Sequence, residues 1–176
     1  MSRVITFSRT FPAYHPKAGE PTFFVEKIWK GIYDINGNGY DPSGGYQDYH
    51  DNHFHPMGKG LKNIHKFAPK YHTIRAGNRW KVGDKFSARV WSGKPYNSKQ
   101  IIIAPDMEVK KVWDFEMDLN CIYSINGKYT EEQTDYNLAL NDGLTEIEMQ
   151  FWFMPNMNKP KEFKGQIICW NENINY

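Results

Sequence analysis

Lys70, Thr73 and Arg75 stand within six residues of one another in the stretch KYHTIRAGNRWKVGD, residues 70–84. These are residue types from which a nucleophilic hydroxyl can be made. If YHTIRA is a strand, Thr73 and Arg75 face one side while His72 and Ile74 face the other. Lys70 follows Pro69, where a loop would enter the strand, and its long side chain can bend back toward Thr73. A lysine whose pKa is lowered by burial or by nearby cations accepts a hydroxyl proton, and His72 and Arg75 are close enough in sequence to supply that bias. A carboxylate is needed as partner, and spacing alone does not select one. The opposing reading is an ordinary strand with basic residues on a solvated face.

Other chemistries find less support. DINGNGYD, residues 34–41, places Asp34, Asn36, Asn38 and Gly39 like the start of a calcium loop, but Gly45 stands where the bidentate Glu belongs. Asn-Gly-Asn-Gly reads more simply as a turn. HDNHFHP carries His50, Asp51, His53 and His55 in a Gly-rich stretch with no recognisable metal-site spacing around them. No phosphate-binding glycine loop or nucleophile elbow is present. Cys121 and Cys169 lie far apart, outside any C-x-x-C pattern. The reading therefore requires no metal and no cofactor.

The net charge of +2 conceals a segregation. Residues 59–100 hold eleven Lys and Arg against Asp84 alone, a local charge of +10 that leaves −8 for the remainder. Tyr71, Trp80, Trp91 and Tyr96 are interleaved with these cations. Basic side chains beside flat rings suit phosphate contact and base stacking; a solvated face that aids solubility is the alternative. No apolar run of about 18 residues marks a membrane span, and the N-terminus lacks a secretion-signal pattern. A cytoplasmic protein without a membrane partner is expected.

At 176 residues, 40% of them hydrophobic, the chain is long enough for one domain with a core of its own. Strands are expected at RVITFSR, YHTIRA, DKFSARVWSG, QIIIA, EVKKVWDFEMD, CIYSI and KGQIICWNE, each bounded by turn-forming residues. WSGKPYNSKQ reads as a hairpin loop. A first helix is expected within TFFVEKIWKGI, ending near Gly31. A second lies within TEEQTDYNLALNDGL, after Thr130 and stopped by Gly143. A third begins at Thr145 with Glu148 completing a capping box, and places Ile147, Phe151 and Met154 on one face. Residues 33–69 read as a long loop-rich insertion. The expected fold is α+β: a small, mixed, mostly antiparallel barrel of five to seven strands with two or three flanking helices.

Four short motifs carry a resemblance: Ile-Thr-Phe at 5–7, K-x-x-T-I-R at 70–75, V-G-D at 82–84 and N-D-G-L-T at 141–145. They resemble the ASCH family of the PUA-like superfamily, nearest to its bacterial acetylcytidine amidohydrolase branch. The likeness spans the N-terminal strand and most of residues 70–176, leaving 33–69 as an insertion. It implies a small β-barrel with flanking helices and a cleft for RNA or a modified nucleoside. It also implies that Thr73 is the nucleophile and Lys70 its activator. The family's glutamate has no direct counterpart; Asp142 occupies its place, one methylene shorter, with Glu146 and Glu148 as alternatives in the following helix. Arg75, Tyr71, Arg79, Trp80 and Lys81 are the substrate-binding candidates. Two functions are expected: amide hydrolysis on a 4-acetylcytidine-like nucleoside, or non-catalytic binding (or cleavage) of RNA by the same basic cleft.

Overall fold

The computed structural model describes residues 2–36, 42–53, 62–154 and 161–176. Two sheets and four helices share one hydrophobic core. In the first sheet β3 (Lys85–Trp91) pairs in parallel with β1 (Arg3–Phe7), and antiparallel with β4 (Gln100–Ile102) and β5 (Met107–Glu108). The second sheet runs in the order β2 (His72–Ala76), β9 (Phe163–Cys169), β6 (Lys111–Met117), β7 (Tyr123–Ile125), β8 (Lys128–Tyr129), with every pairing antiparallel. The architecture is α+β as the sequence suggests, but the strands form two open sheets and no closed barrel among the described residues. Strand alternation explains the core: Ile5 and Phe7 point inward from β1, as do Phe86, Ala88 and Val90 from β3. Trp170, just after β9, joins the sheets by packing against Phe7 and Phe86, with ring centroids 6.4 and 5.7 Å away.

Helix α1 (Phe24–Asn36) starts where the Thr22 hydroxyl accepts from the Phe24 N–H, and buries Phe24, Val25, Ile28 and Trp29. It runs past Gly31 rather than ending there. That glycine serves a close approach: a Cβ on it would lie 2.4 Å from the Lys70 carbonyl oxygen. The Lys70 N–H in turn donates to the Lys27 carbonyl at 2.8 Å, so α1 ties down the backbone entering β2 and packs closely against it.

The stretch 33–69 is not simply a loop. Helix α2 (Pro42–His53) lies within it, followed by a 3-10 turn at Ile64–Lys66. Tyr46 and Tyr49 of α2 pack on Trp29, with centroids 5.8 and 5.5 Å away. Asn38 and Gly39 of the calcium-loop candidate, and His55 of the histidine cluster, lie outside the described residues.

Helices α3 (Glu132–Asn141) and α4 (Glu146–Phe153) follow each other closely. The turn between them is set by Gly143, whose φ of 76° lies in the left-handed region that glycine enters without strain. Thr145 and Glu148 form the expected capping box. The buried face of α4 differs from the expected one: Met149 is fully buried and Ile147 is exposed, because the helix docks through the side bearing Met149 and its C-terminal Met154.

Candidate active site

Four of the residues singled out in the sequence line one cavity of about 210 Å³: Lys70, Thr73, Arg75 and Asp142. Each arrives from an element with a local reason to put it there. Thr73 and Arg75 share a face of β2, and Lys70 enters just ahead of that strand, fixed by α1. Asp142 closes the C-terminus of α3, its N–H bonded back to Leu138 and Ala139.

The end of α3 explains much of the electrostatics. The carbonyls of a helix's last turn lack partners within the helix and carry partial negative charge. No basic residue lies in the last turn of α3, so lysines from elsewhere supply the positive charge. Lys70 Nζ donates to the Asp142 backbone carbonyl, and at 2.8 Å to its carboxylate Oδ1. Lys27 Nζ donates to the Gly143 carbonyl at 2.6 Å. Lys70 is 1% exposed and Asp142 5%, which makes this a buried ion pair. Burial pushes the Lys70 ammonium down to about 8, against the opposing pull of Asp142, and Arg75 and Lys27 push the same way as burial. Burial acts to raise the Asp142 carboxyl, but Lys70 and His72 outweigh it and hold the group below its ordinary value.

Behind the pair lies a polar chain that the sequence did not announce. His72 is completely buried, with Nε2 2.7 Å from the Tyr176 hydroxyl. That hydroxyl accepts from Asn141 Nδ2 at 2.9 Å. With Tyr176 donating to Nε2, the ring proton sits on Nδ1, which faces Asp142 Oδ1 at 3.5 Å, too long for a strong hydrogen bond. Burial lowers the His72 pKa, so the ring is neutral and turns only a dipole toward the carboxylate.

Arg75 is tied down by Nη2, which donates to the Thr6 carbonyl at 2.7 Å, and its guanidinium lies 5.3 Å from the Phe7 ring centre. Its Nε is buried and has no partner among the described residues. Phe24 covers Lys70, with Nζ 4.4 Å from the ring centre. These aromatic walls come from ITF, through Phe7, and from the first helix; their role in the cavity had no signal beyond apolar character.

The remaining candidates lie elsewhere. Tyr71 is half-buried and donates to Asp34 at 3.2 Å. Trp80 belongs to the core, 7% exposed, with its backbone held by Gln166 and its ring under the Arg3 guanidinium, leaving no open face for stacking on a base. Arg79 and Lys81 are exposed and do not line the cavity. Glu148 is committed to its capping box and to Lys17 at 2.7 Å, and Glu146 is exposed, so Asp142 is the carboxylate that reaches Lys70. Among the described residues no group of three or more His, Cys, Asp or Glu side chains is placed to hold a metal ion. No helix there is long and apolar enough to cross a membrane.

Compared with models of protein families, with curated proteins and with solved structures, the chain matches none.

Proposed function

We propose that this cavity hydrolyses an acyl-amide on a modified pyrimidine nucleoside of the 4-acetylcytidine type. The observation that carries the reading is the joining of a buried, pKa-lowered lysine, its carboxylate partner and a threonine hydroxyl in one small cavity. The ASCH-like motifs supply the substrate class.

In this mechanism the neutral Lys70 amine takes the proton of Thr73 as Oγ1 attacks the acyl carbonyl. The carbonyl electrons move onto oxygen, where the Arg75 guanidinium meets the charge. The intermediate collapses by breaking the C–N bond, and the Lys70 ammonium returns its proton to the departing exocyclic nitrogen. Water then hydrolyses the acyl-threonine ester with Lys70 again as base, releasing the carboxylic acid and restoring Thr73. Asp142 orients Lys70 throughout. In the resting arrangement Lys70 donates to Asp142 alone among the described residues, so substrate entry must draw the amine toward Thr73. Hydrogen bonds in a free active site commonly tighten in this way when substrate arrives.

The test is deacetylation of 4-acetylcytidine followed by chromatography. Wild type is expected to turn over, Thr73→Ala and Lys70→Ala to lose turnover by on the order of 10²–10⁴, and Thr73→Ser to retain part of it. An inactive wild type would remove the catalytic reading. A second reading, RNA binding without catalysis, is favoured by the exposed cations Arg79, Lys81, Lys85, Lys94 and Lys99. It predicts RNA affinity that falls steeply with salt, and no turnover of nucleosides.

A further inference from the structure

The reactive cavity is too small to enclose a whole nucleoside. Thr73 is 4% exposed and Lys70 1%, so an acyl group that reaches them lies at the cavity's inner end. At about 210 Å³ the cavity is below the range of about 300–1,000 Å³ that encloses a ligand of moderate size. The ring that carries the acyl-amide therefore extends toward the rim. Tyr71 and Trp80, the aromatic residues that the sequence offers for stacking, do not line the cavity.

Tyr96 stands at that rim: it lines the cavity and is 86% exposed. The hairpin loop between β3 and β4 carries it. Within that loop the Ser92 N–H donates to the Lys99 carbonyl at 2.8 Å. Ser98 Oγ accepts from the Gly93 N–H and donates to the Lys94 carbonyl, both at 2.9 Å. At the tip, the Asn97 N–H donates to the Lys94 carbonyl at 3.2 Å and closes a turn with Pro95 and Tyr96 in its central positions. The φ of Tyr96 is 64°, in the left-handed region that the second central residue of a type II turn requires. Glycine or asparagine ordinarily fills that position, and a bulky side chain there is unfavourable. Turn chemistry thus does not account for a tyrosine, and at 86% exposure neither does burial in the core.

Two observations aim the ring at the reactive end. Trp91, the last residue of β3, also lines the cavity, and its ring centroid lies 5.4 Å from that of Tyr96 at an interplanar angle of 50°. The tryptophan supports the tyrosine from the cavity side, while the exposed remainder of the ring is left open to a ligand. Burial pulls the Arg75 pKa down, and Asp142 and the Tyr96 phenol act against it, which places the phenol within electrostatic reach of that guanidinium. Arg75 shares the face of β2 that bears Thr73. Strained backbone at the edge of a site is a recurrent way of presenting a side chain to a ligand.

We propose that the Tyr96 ring is the surface on which the pyrimidine base of the substrate stacks, with the acyl-amide reaching past Arg75 to Thr73. The inference rests on the reading of the cavity as an acyl-nucleoside site, and deepens it by naming the residue that receives the base.

The probe is cytidine, with binding measured by calorimetry on the full chain. Tyr96→Gly is expected to weaken cytidine on the order of tenfold, as loss of an aromatic stacking partner does. Its Tm is expected to hold or rise, because glycine enters the left-handed region without strain. Tyr96→Phe keeps the ring and is expected to bind cytidine within about twofold of wild type. Unchanged affinity in Tyr96→Gly, an equal loss in Tyr96→Phe, or no cytidine binding by wild type overturns the stacking role. So does a loss in Tyr96→Gly that comes with a lowered Tm, which marks a structural role. Thr73→Ala is expected to keep cytidine affinity while losing turnover of 4-acetylcytidine. Cytidine binding that depends on the Tyr96 ring, without any turnover by wild type, would remove the catalytic reading alone; turnover whose KM ignores Tyr96→Gly would remove the stacking role alone.

Discussion

Lys70 has two opposed demands on it, and their balance is measurable. Its hydrogen bonds to Asp142 favour the ammonium, while burial, Arg75 and Lys27 favour the free amine. The outcome, about 8, leaves a base that is partly neutral near physiological pH. The pH profile of kcat/KM for acyl-nucleoside hydrolysis is therefore expected to rise with pH through a limb near 8. Asp142→Asn removes what raises the Lys70 pKa and keeps what lowers it, so its limb moves to lower pH as overall activity falls. A limb that stays in place in Asp142→Asn would show that the titrating group is not Lys70.

At the scale of elements, the site depends on close fits among α1, β2 and the turn after α3. Gly31→Ala adds a methyl group 2.4 Å from the Lys70 carbonyl oxygen, so α1 or the entry to β2 has to move. Overpacking of this kind costs about 1–3 kcal/mol, which outweighs the gain of up to about 1 kcal/mol from alanine's better helix propensity. Thermal unfolding is expected to show a lowered Tm, and activity to fall further than stability alone explains, because Lys70 is displaced. Thr145→Ala removes the hydroxyl of the capping box and is expected to cost about 1 kcal/mol by denaturant titration, with Lys70 and Asp142 left in place. These elements also show what the sequence carried openly. The β-branched and aromatic runs bounded by turn residues marked the strands, and Thr145 with Glu148 marked the start of α4, since both signals are local. Helix α2 was hidden because PSGGYQDYHDNH has no apolar period; it is held by Tyr46 and Tyr49 against Trp29, a contact between distant residues. The inward turn of Met149 in place of Ile147 was hidden for the same reason, as docking direction is set by the partner surface.

For the whole molecule, the buried Lys70–Asp142 pair lies where β2, α1 and α3 meet, and its two charges are tied to the stability of the fold. Two open sheets rather than a closed barrel leave this junction to be sealed by side chains: Phe7, Phe24 and Trp152 from three separate elements line the cavity beside the pair. Lys70, Thr73 and Arg75 could be singled out from their spacing in β2 and the residues just before it, because that arrangement is local. The partners that hold them, Asp142 for Lys70 and the Thr6 carbonyl for Arg75, are brought to them only by the fold. Removing one member of a buried pair leaves the other charged without compensation, at a cost of about 3–5 kcal/mol, whereas replacing both is often neutral or stabilising. Lys70→Met alone is therefore expected to destabilise strongly, leaving Asp142 beside a neutral His72. The double variant Lys70→Met, Asp142→Leu is expected to recover most of that loss while remaining inactive. The pH dependence has a definite sign. Asp142 is depressed below its ordinary value of 3.8, so its contribution is present above that pH and is lost as pH falls through the folded value. Lys70 is depressed from 10.5 to about 8, so the unfolded chain binds more protons between those values and stability from this group rises with pH across that window. Both dependences should flatten in the double variant, read as denaturant midpoints from pH 3 to 10. A double variant as unstable as Lys70→Met, with unchanged pH slopes, would mean that the pair is not the origin of either effect.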